Sequence, residues 1–305
     1  MVAVQSRAYQ REQDYSRISE LLTTSYQNNQ RLYNWSNSHW DRSDYVRKVR
    51  LSSGPDRIWE EGVWVWQTEE GRLVGVVHLE PMEGICLQLD PDYRFIEEEM
   101  FAWAEEHILR FSSADLPRNI LSTRVFDYDR KRATLLANRG FTNDGPVGST
   151  LRRTLTGPVP EVRLPADFSI RTVQEASDFE NRSLLQQRLC GNDWTIEIMQ
   201  LLRQAPAYRK ELDLAVAAPA GQTIGFCSAW LDDHNWIGEI EPVVVDPDFR
   251  RAGLASAVVS EILFRLKELG ASMAYVVTAG TDPRENRFWE KMGFDGIDLS
   301  YLWVK

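Results

Sequence analysis

Cysteine is scarce in this sequence: Cys86, Cys190 and Cys227 are the only three among 305 residues. They lie far apart and form no Cys-x-x-Cys pair, which excludes a disulfide framework or a cysteine-based zinc site as an organising feature. The histidines His39, His78, His107 and His234 are equally scattered, without metal-ligand spacing. No metal is expected. Long apolar runs are missing too, so no membrane-spanning helix is predicted. The opening Met1-Val-Ala-Val-Gln-Ser-Arg lacks the apolar core of a secretory leader, and a cytoplasmic protein is expected. Positive charge is in deficit. A net charge of −10 works against general nucleic-acid binding, which needs lysine and arginine to meet phosphate. What remains is an ordinary globular composition, 43% apolar, with length enough for two cores.

The two halves repeat. Asp90-Pro-Asp-Tyr-Arg94 returns as Asp246-Pro-Asp-Phe-Arg250. Gly71-Arg-Leu-Val-Gly75 returns as Gly221-Gln-Thr-Ile-Gly225, and Gly140-Phe141 as Gly293-Phe294. Three landmarks in one order, each displaced by about half the chain, predict two copies of one fold. Residues 1–156 form the first copy and 167–305 the second. Between them Thr156-Gly-Pro-Val-Pro-Glu-Val-Arg-Leu-Pro165 is proline-rich and without periodicity, so 157–166 reads as a linker.

In the second copy, alternating and apolar runs predict strands over 168–173, 212–217, 223–231, 238–245, 274–278 and 299–304. Helical periodicity covers 175–189, 194–203, 254–269 and 283–292. This is a mixed α/β order (α+β, mixed sheet). The most telling segment is Glu239-Ile-Glu-Pro-Val-Val-Val-Asp-Pro-Asp-Phe-Arg-Arg-Ala-Gly-Leu-Ala255: a strand, a short turn, and a basic, glycine-containing entry to a helix. Helix N-terminal N–H groups have no intrahelical partners, and the helix dipole favours negative charge there. Gly253 lets a phosphate approach the backbone, while Arg250 and Arg251 add positive charge.

Arg250-Arg251-Ala252-Gly253-Leu254-Ala255 resembles the Gln/Arg-x-x-Gly-x-Gly/Ala pyrophosphate loop of the GNAT superfamily of acyl-CoA-dependent N-acetyltransferases. Arg287-Phe-Trp-Glu-Lys-Met-Gly-Phe294 is similar to the family's Phe-Tyr-x-x-x-Gly-Phe helix ending. The pair, in order and with a strand between, is far more specific than either motif alone. The resemblance implies two tandem GNAT-like domains with acetyl-CoA as co-substrate. It places Arg250, Arg251, Ala252, Gly253, Leu254, Ala255 and Ser256 on the pyrophosphate and Val243, Val244 and Val245 along the pantetheine. It sets Asp282, Asn286 and Trp289 beside the cofactor. In the first copy Glu97 falls where Gly253 stands. A carboxylate there would repel a pyrophosphate, so that copy is expected to carry no cofactor.

The resemblance also implies direct attack of an amine on the thioester, assisted by a glutamate just upstream of the cofactor strand. Glu239 and Glu241 both qualify, two residues apart and so on one face of a strand. The family's tyrosine acid is replaced by Trp289, whose indole cannot supply a proton; Tyr275 and Tyr301 are alternatives. The acceptor is expected to be a small-molecule primary amine rather than a protein lysine. An acyl-CoA sensor without turnover is the rival reading.

Overall fold

The computed structural model describes residues 3–52, 62–80, 84–111, 121–161, 164–173, 176–190, 194–279 and 283–305. The chain divides into two compact units that are not contiguous in sequence. The first comprises Met1–Asn37, Ser53–Ser149 and Asp298–Lys305; the second comprises Ser38–Ser52 and Thr150–Ile297. Relative to the expected 1–156 and 167–305, each unit therefore holds a piece of the other half.

In the first unit, strand β1 (Val4–Ala8) precedes helix α1 (Arg11–Asn29). Strands β2 (Trp64–Thr68), β3 (Leu73–Glu80) and β4 (Gly84–Leu89) follow, and all four pair antiparallel in the order β1-β2-β3-β4. Helix α3 (Glu97–Phe111) opens with Glu97, Glu98 and Glu99, which complement its dipole. It buries Met100, Phe101 and Ala104 against Trp66, Val74, Val77 and Phe141. Strand β5 (Ser122–Phe126), helix α4 (Arg130–Asn138) and the start of β6 (Thr142–Thr154) complete the local chain. The partner of β5 is the C-terminal strand β12 (Gly296–Val304), antiparallel from Ser300↔Phe126 to Val304↔Ser122.

The second unit has the same sequence of elements. Strand β7 (Ser169–Thr172), helices α5 (Ala176–Cys190) and α6 (Ile196–Leu202), and strands β8 (Asp213–Ala217), β9 (Thr223–Asp232) and β10 (Ile237–Val245) match the periodicity within a few residues. Helix α7 (Leu254–Glu268), strand β11 (Met273–Ala279) and helix α8 (Pro283–Lys291) follow. β7 to β10 form an antiparallel meander, and β11 joins β10 in parallel. The stripe Val258, Val259, Ile262, Leu263 and Leu266 of α7 is buried against Leu214, Val216, Ile240 and Phe294. That anchors α7 with its N-terminus at the end of β10.

The linker segment lies along the second unit: the carbonyls of Gly157, Pro158 and Pro160 accept hydrogen bonds from Lys267 (2.7 Å), Arg153 (2.7 Å) and Ser260, and Val159 and Leu164 pack on the second core. And helix α2 (Asn37–Ser52), from the first half of the chain, belongs to the second unit from Ser38 onward.

Candidate active site

Strand β10 determines the geometry. It pairs with β11 only from Ile237↔Met273 to Glu239↔Tyr275, although both strands continue. Beyond Glu239 the two diverge. On its other edge β10 stays paired with β9, with a bulge between Ile240 and Val243 where the Glu241–Pro242 peptide is cis. Pairing resumes at Val243↔Cys227 and runs to Val245↔Gly225. The Asp246 N–H bonds to the β9 side, at Ile224 O (2.8 Å). Because successive residues of a strand alternate edges, Val243 and Val245 direct their N–H groups to the edge that β11 has left. These are the groups that an extended amide-bearing arm would meet.

Past the strand, Asp246 caps a short turn by accepting the Asp248 N–H (3.2 Å). Arg250 folds back on the Val245 carbonyl (3.2 Å). Arg251 and Gly253 both take left-handed backbone conformations, with φ of 68° and 80°. Gly253 is the N-cap of α7, with no side-chain cap. The first helical N–H to find a carbonyl is that of Ala257, at Gly253 O (3.0 Å). The N–H groups of Leu254, Ala255 and Ser256 precede it and project from the helix end. Residues 250–253 are exposed, and a Cβ on Gly253 would meet nothing within 4 Å. An open, positively charged helix end with a left-handed glycine fits a pyrophosphate.

Asn286 contributes a buried Oδ1 with no partner among the described residues, an acceptor that a ligand could satisfy. Trp289 is different: it is buried, edge-on to Phe288 (5.0 Å) and Phe294 (5.1 Å). Its indole serves the core. Asp282 lies outside the described residues. Tyr301, in the first unit, pairs with Val125.

The two glutamates meet a partner that the motif analysis did not foresee. His39 and Arg42 are three residues apart on α2, hence on one face. Arg42 bridges both carboxylates, Nη2 to Glu239 Oε1 (3.3 Å) and Nη1 to Glu241 Oε2. His39 Nδ1 lies 3.3 Å from the same Glu239 Oε1. Glu239 is 1% exposed and Glu241 46%, so one is sealed in the wall and the other faces out. Burial alone would raise the Glu239 pKa; Arg42, His39 and Tyr275 outweigh it and hold the group at about 2. Burial likewise opposes the Arg42 charge, and Glu241 and Glu239 more than restore it.

A folded-state value below that of the unfolded carboxyl, ~4.3, makes Glu239 stabilising above that pH. The contribution disappears as pH falls toward about 2. Urea unfolding of Glu239→Gln should accordingly show a flatter stability–pH curve over this window than the native chain. Parallel curves would mean that the cluster contributes nothing.

Next to the carboxylates stands an aromatic wall. Trp230 donates from Nε1 to the Glu241 carbonyl (3.0 Å) and packs edge-on to Tyr208 (6.1 Å). Tyr45 of α2 and Trp194 pack on the same cluster. In the turn between β9 and β10, Asp232 accepts the N–H groups of His234 and Asn235 (both 3.1 Å).

The corresponding positions of the first unit are filled by its own side chains. Leu89, the counterpart of Val245 in the repeat, donates its N–H to Asn34 Oδ1 and accepts from Asn34 Nδ2, both at 2.9 Å. Glu97, the counterpart of Gly253, is buried and held by Arg94 (Nε to Oε2, 3.0 Å) and Arg132. Asp129 closes the ring through Arg94 (3.0 Å).

A splayed strand pair followed by a basic helix end suits an extended ligand that ends in a pyrophosphate. Residues 179–294 match the acetyltransferase (GNAT) family. Over its whole length the chain has the fold of tandem GNAT proteins among the solved structures. It is 26% identical to a mycothiol acetyltransferase of Salinispora tropica over 75% of this chain and 76% of that one. With the mycothiol acetyltransferase of Acidothermus cellulolyticus the identity is 25%, over 76% and 75%. Among solved structures, a GCN5-related N-acetyltransferase from Sphaerobacter thermophilus superposes with a TM-score of 0.67 at 17% identity, covering 99% of this chain and 95% of that one. A tandem GNAT protein from the clavulanic acid biosynthesis pathway gives 0.65 at 16%, covering 100% and 98%.

Proposed function

We propose that the second unit transfers an acetyl group from acetyl-CoA to the primary amine of a small molecule, and that it does so once per chain. The splay of β10 from β11 beside the carboxylate pair carries this reading. It leaves a slot whose floor offers N–H groups at Val243 and Val245, and whose upper end is closed by Glu239, Glu241, Arg42 and His39. The Arg250–Ser256 helix entry would hold the pyrophosphate, with Asn286 alongside. One of the slot's N–H groups would polarise the thioester oxygen. Holding amine and acyl carbon in line would supply much of the rate.

Among the described residues, Glu239 and Glu241 face Arg42, two carboxylates to one guanidinium, which suits an ammonium. The aromatic wall of Trp230, Tyr208 and Trp194 suits an acceptor with an apolar face. The mycothiol acetyltransferases among the relatives favour a small thiol-bearing molecule over a protein lysine. In the first unit, the Glu97 carboxylate and the Asn34 amide on Leu89 work against a second cofactor.

Calorimetric titration with acetyl-CoA should give one site per chain. A panel of primary amines, spanning alkylamines, amino sugars and cysteinyl amides, should then show acetylation that falls in Glu239→Gln and Glu241→Gln with acetyl-CoA affinity retained. Two sites would contradict the reading of the first unit. Binding without turnover on any amine would favour an acyl-CoA sensor.

A further inference from the structure

Strand β10 leaves regular pairing beside the carboxylates. It advances from Ile240 to Val243 while β9 steps back only from Ala229 to Cys227, so β10 carries one residue in excess. Successive residues of a strand turn their N–H groups to opposite edges. One extra residue reverses the alternation beyond it, and in that reversed phase Val243 and Val245 face the edge that β11 has left. Whatever fixes the bulge therefore fixes those N–H groups and the Glu241 carboxylate together.

Trp230 holds the bulge. It stands opposite Glu239 in the ladder, so its ring lies on the sheet face of Glu239 and Glu241. Its Nε1 donates to the Glu241 carbonyl at 3.0 Å. An indole N–H only donates and a carbonyl only accepts, which fixes the direction of the bond. Pro242, next in the chain, has no N–H to offer the ladder. Trp230 is the buried member of the aromatic wall, 4% exposed, whereas Tyr208 and Trp194 are half-buried. A side chain so covered acts on a ligand through what it holds. It is itself propped. Tyr208, edge-on to its ring, donates its hydroxyl to Asp213 Oδ2 (3.2 Å). Asp213 Oδ1 accepts from Ser228 Oγ (2.7 Å) and from Arg182 Nη1. All three of Asp213, Ser228 and Arg182 are buried. Hydrogen bonds and packed rings thus run without a break from the Arg182–Asp213 ion pair, between α5 and β8, to the bulge.

Resting on the acetyl-transfer reading above, we propose that Trp230 is a positioning residue of the reaction: by holding the Glu241 carbonyl it aims the Val243 and Val245 N–H groups at the thioester and the Glu241 carboxylate at the acceptor. In that reading one of the N–H groups polarises the thioester oxygen, and such a donor works only where it is accurately placed.

The test uses the full chain and the amine that the panel selects. Trp230→Phe keeps a ring against Tyr208 and removes the indole donor. Its kcat and kcat/KM for the amine should fall together by ~10- to 100-fold. Acetyl-CoA affinity by calorimetry should change far less, because the pyrophosphate is held at α7. Benzothienylalanine at position 230, introduced by nonsense suppression, puts sulfur where the N–H stands and keeps the size of the ring system. It removes the donor without opening a cavity, and it should show the same fall in kcat well below its melting temperature. A Trp230 that only supports the core would lower the melting temperature and leave kcat native in both variants. That result, or a fall confined to KM, would overturn the role of Trp230 and leave acetyl transfer standing. A native chain that binds acetyl-CoA and acetylates nothing would bring down both.

Discussion

Acetyl-CoA affinity should fall by ~100-fold or more in Gly253→Glu, which is about 2.7 kcal/mol, with the fold retained. Two effects of different origin add. A non-glycine residue at φ of 80° is strained by roughly 1–2 kcal/mol, which appears as lost stability. The carboxylate then stands at the positive end of α7, where it complements the dipole and repels the phosphates. No atom lies within 4 Å of the added Cβ, so steric disruption is not part of the effect. Gly253→Ala separates the two: it should show the strain in thermal unfolding and keep most of the affinity. If Gly253→Glu binds acetyl-CoA like the native chain in calorimetry, the pyrophosphate is not at α7.

The second large effect is on stability. Arg42→Met should destabilise the second unit by about 3–5 kcal/mol, the usual consequence of removing one partner from a buried ion cluster. Glu239 would keep its burial and lose the group that most strongly holds it ionised. Adding Glu239→Gln to Arg42→Met should recover a substantial part, because a neutral amide no longer needs the cation. A double-mutant cycle by urea unfolding measures that coupling. Additive losses would show that Arg42 and Glu239 do not interact. Arg42→Lys is no substitute, since one ammonium cannot present two prongs to two carboxylates.

Much of the second copy was legible because its signals are local. The apolar period of α7, the strand before it and the glycine at its entry are each written within a dozen residues, and the structure has the strand and the helix there. The sharing of one strand face by Glu239 and Glu241 was also readable, and both side chains reach Arg42. His39 and Arg42 were not readable. They stand about 200 residues upstream, in the half assigned to the other domain, on a helix with no motif. Their only signal is the same-face spacing of a histidine and an arginine, which is common on helices. β12 illustrates the same limit. Its apolar alternation marks a strand, but period alone does not say which edge it joins, and it pairs with β5. Trp289 could have lined the cofactor or the core, and only packing against Phe288 and Phe294 decided for the core.

Asn34 and Glu97 give the two copies different relations to metabolism. In the first, an amide bonded to the Leu89 backbone and a carboxylate held by Arg94 and Arg132 act as covalently tethered occupants. A tethered occupant cannot be diluted, so the order of that copy is independent of the cell's nutritional state. At Gly253 of the second copy, by contrast, nothing described lies within 4 Å of an added Cβ. A cofactor that binds the folded form adds RT ln(1 + [L]/Kd) to its stability. On the proposed function, the stability of the second copy would rise and fall with the acetyl-CoA pool while the order of the first would not.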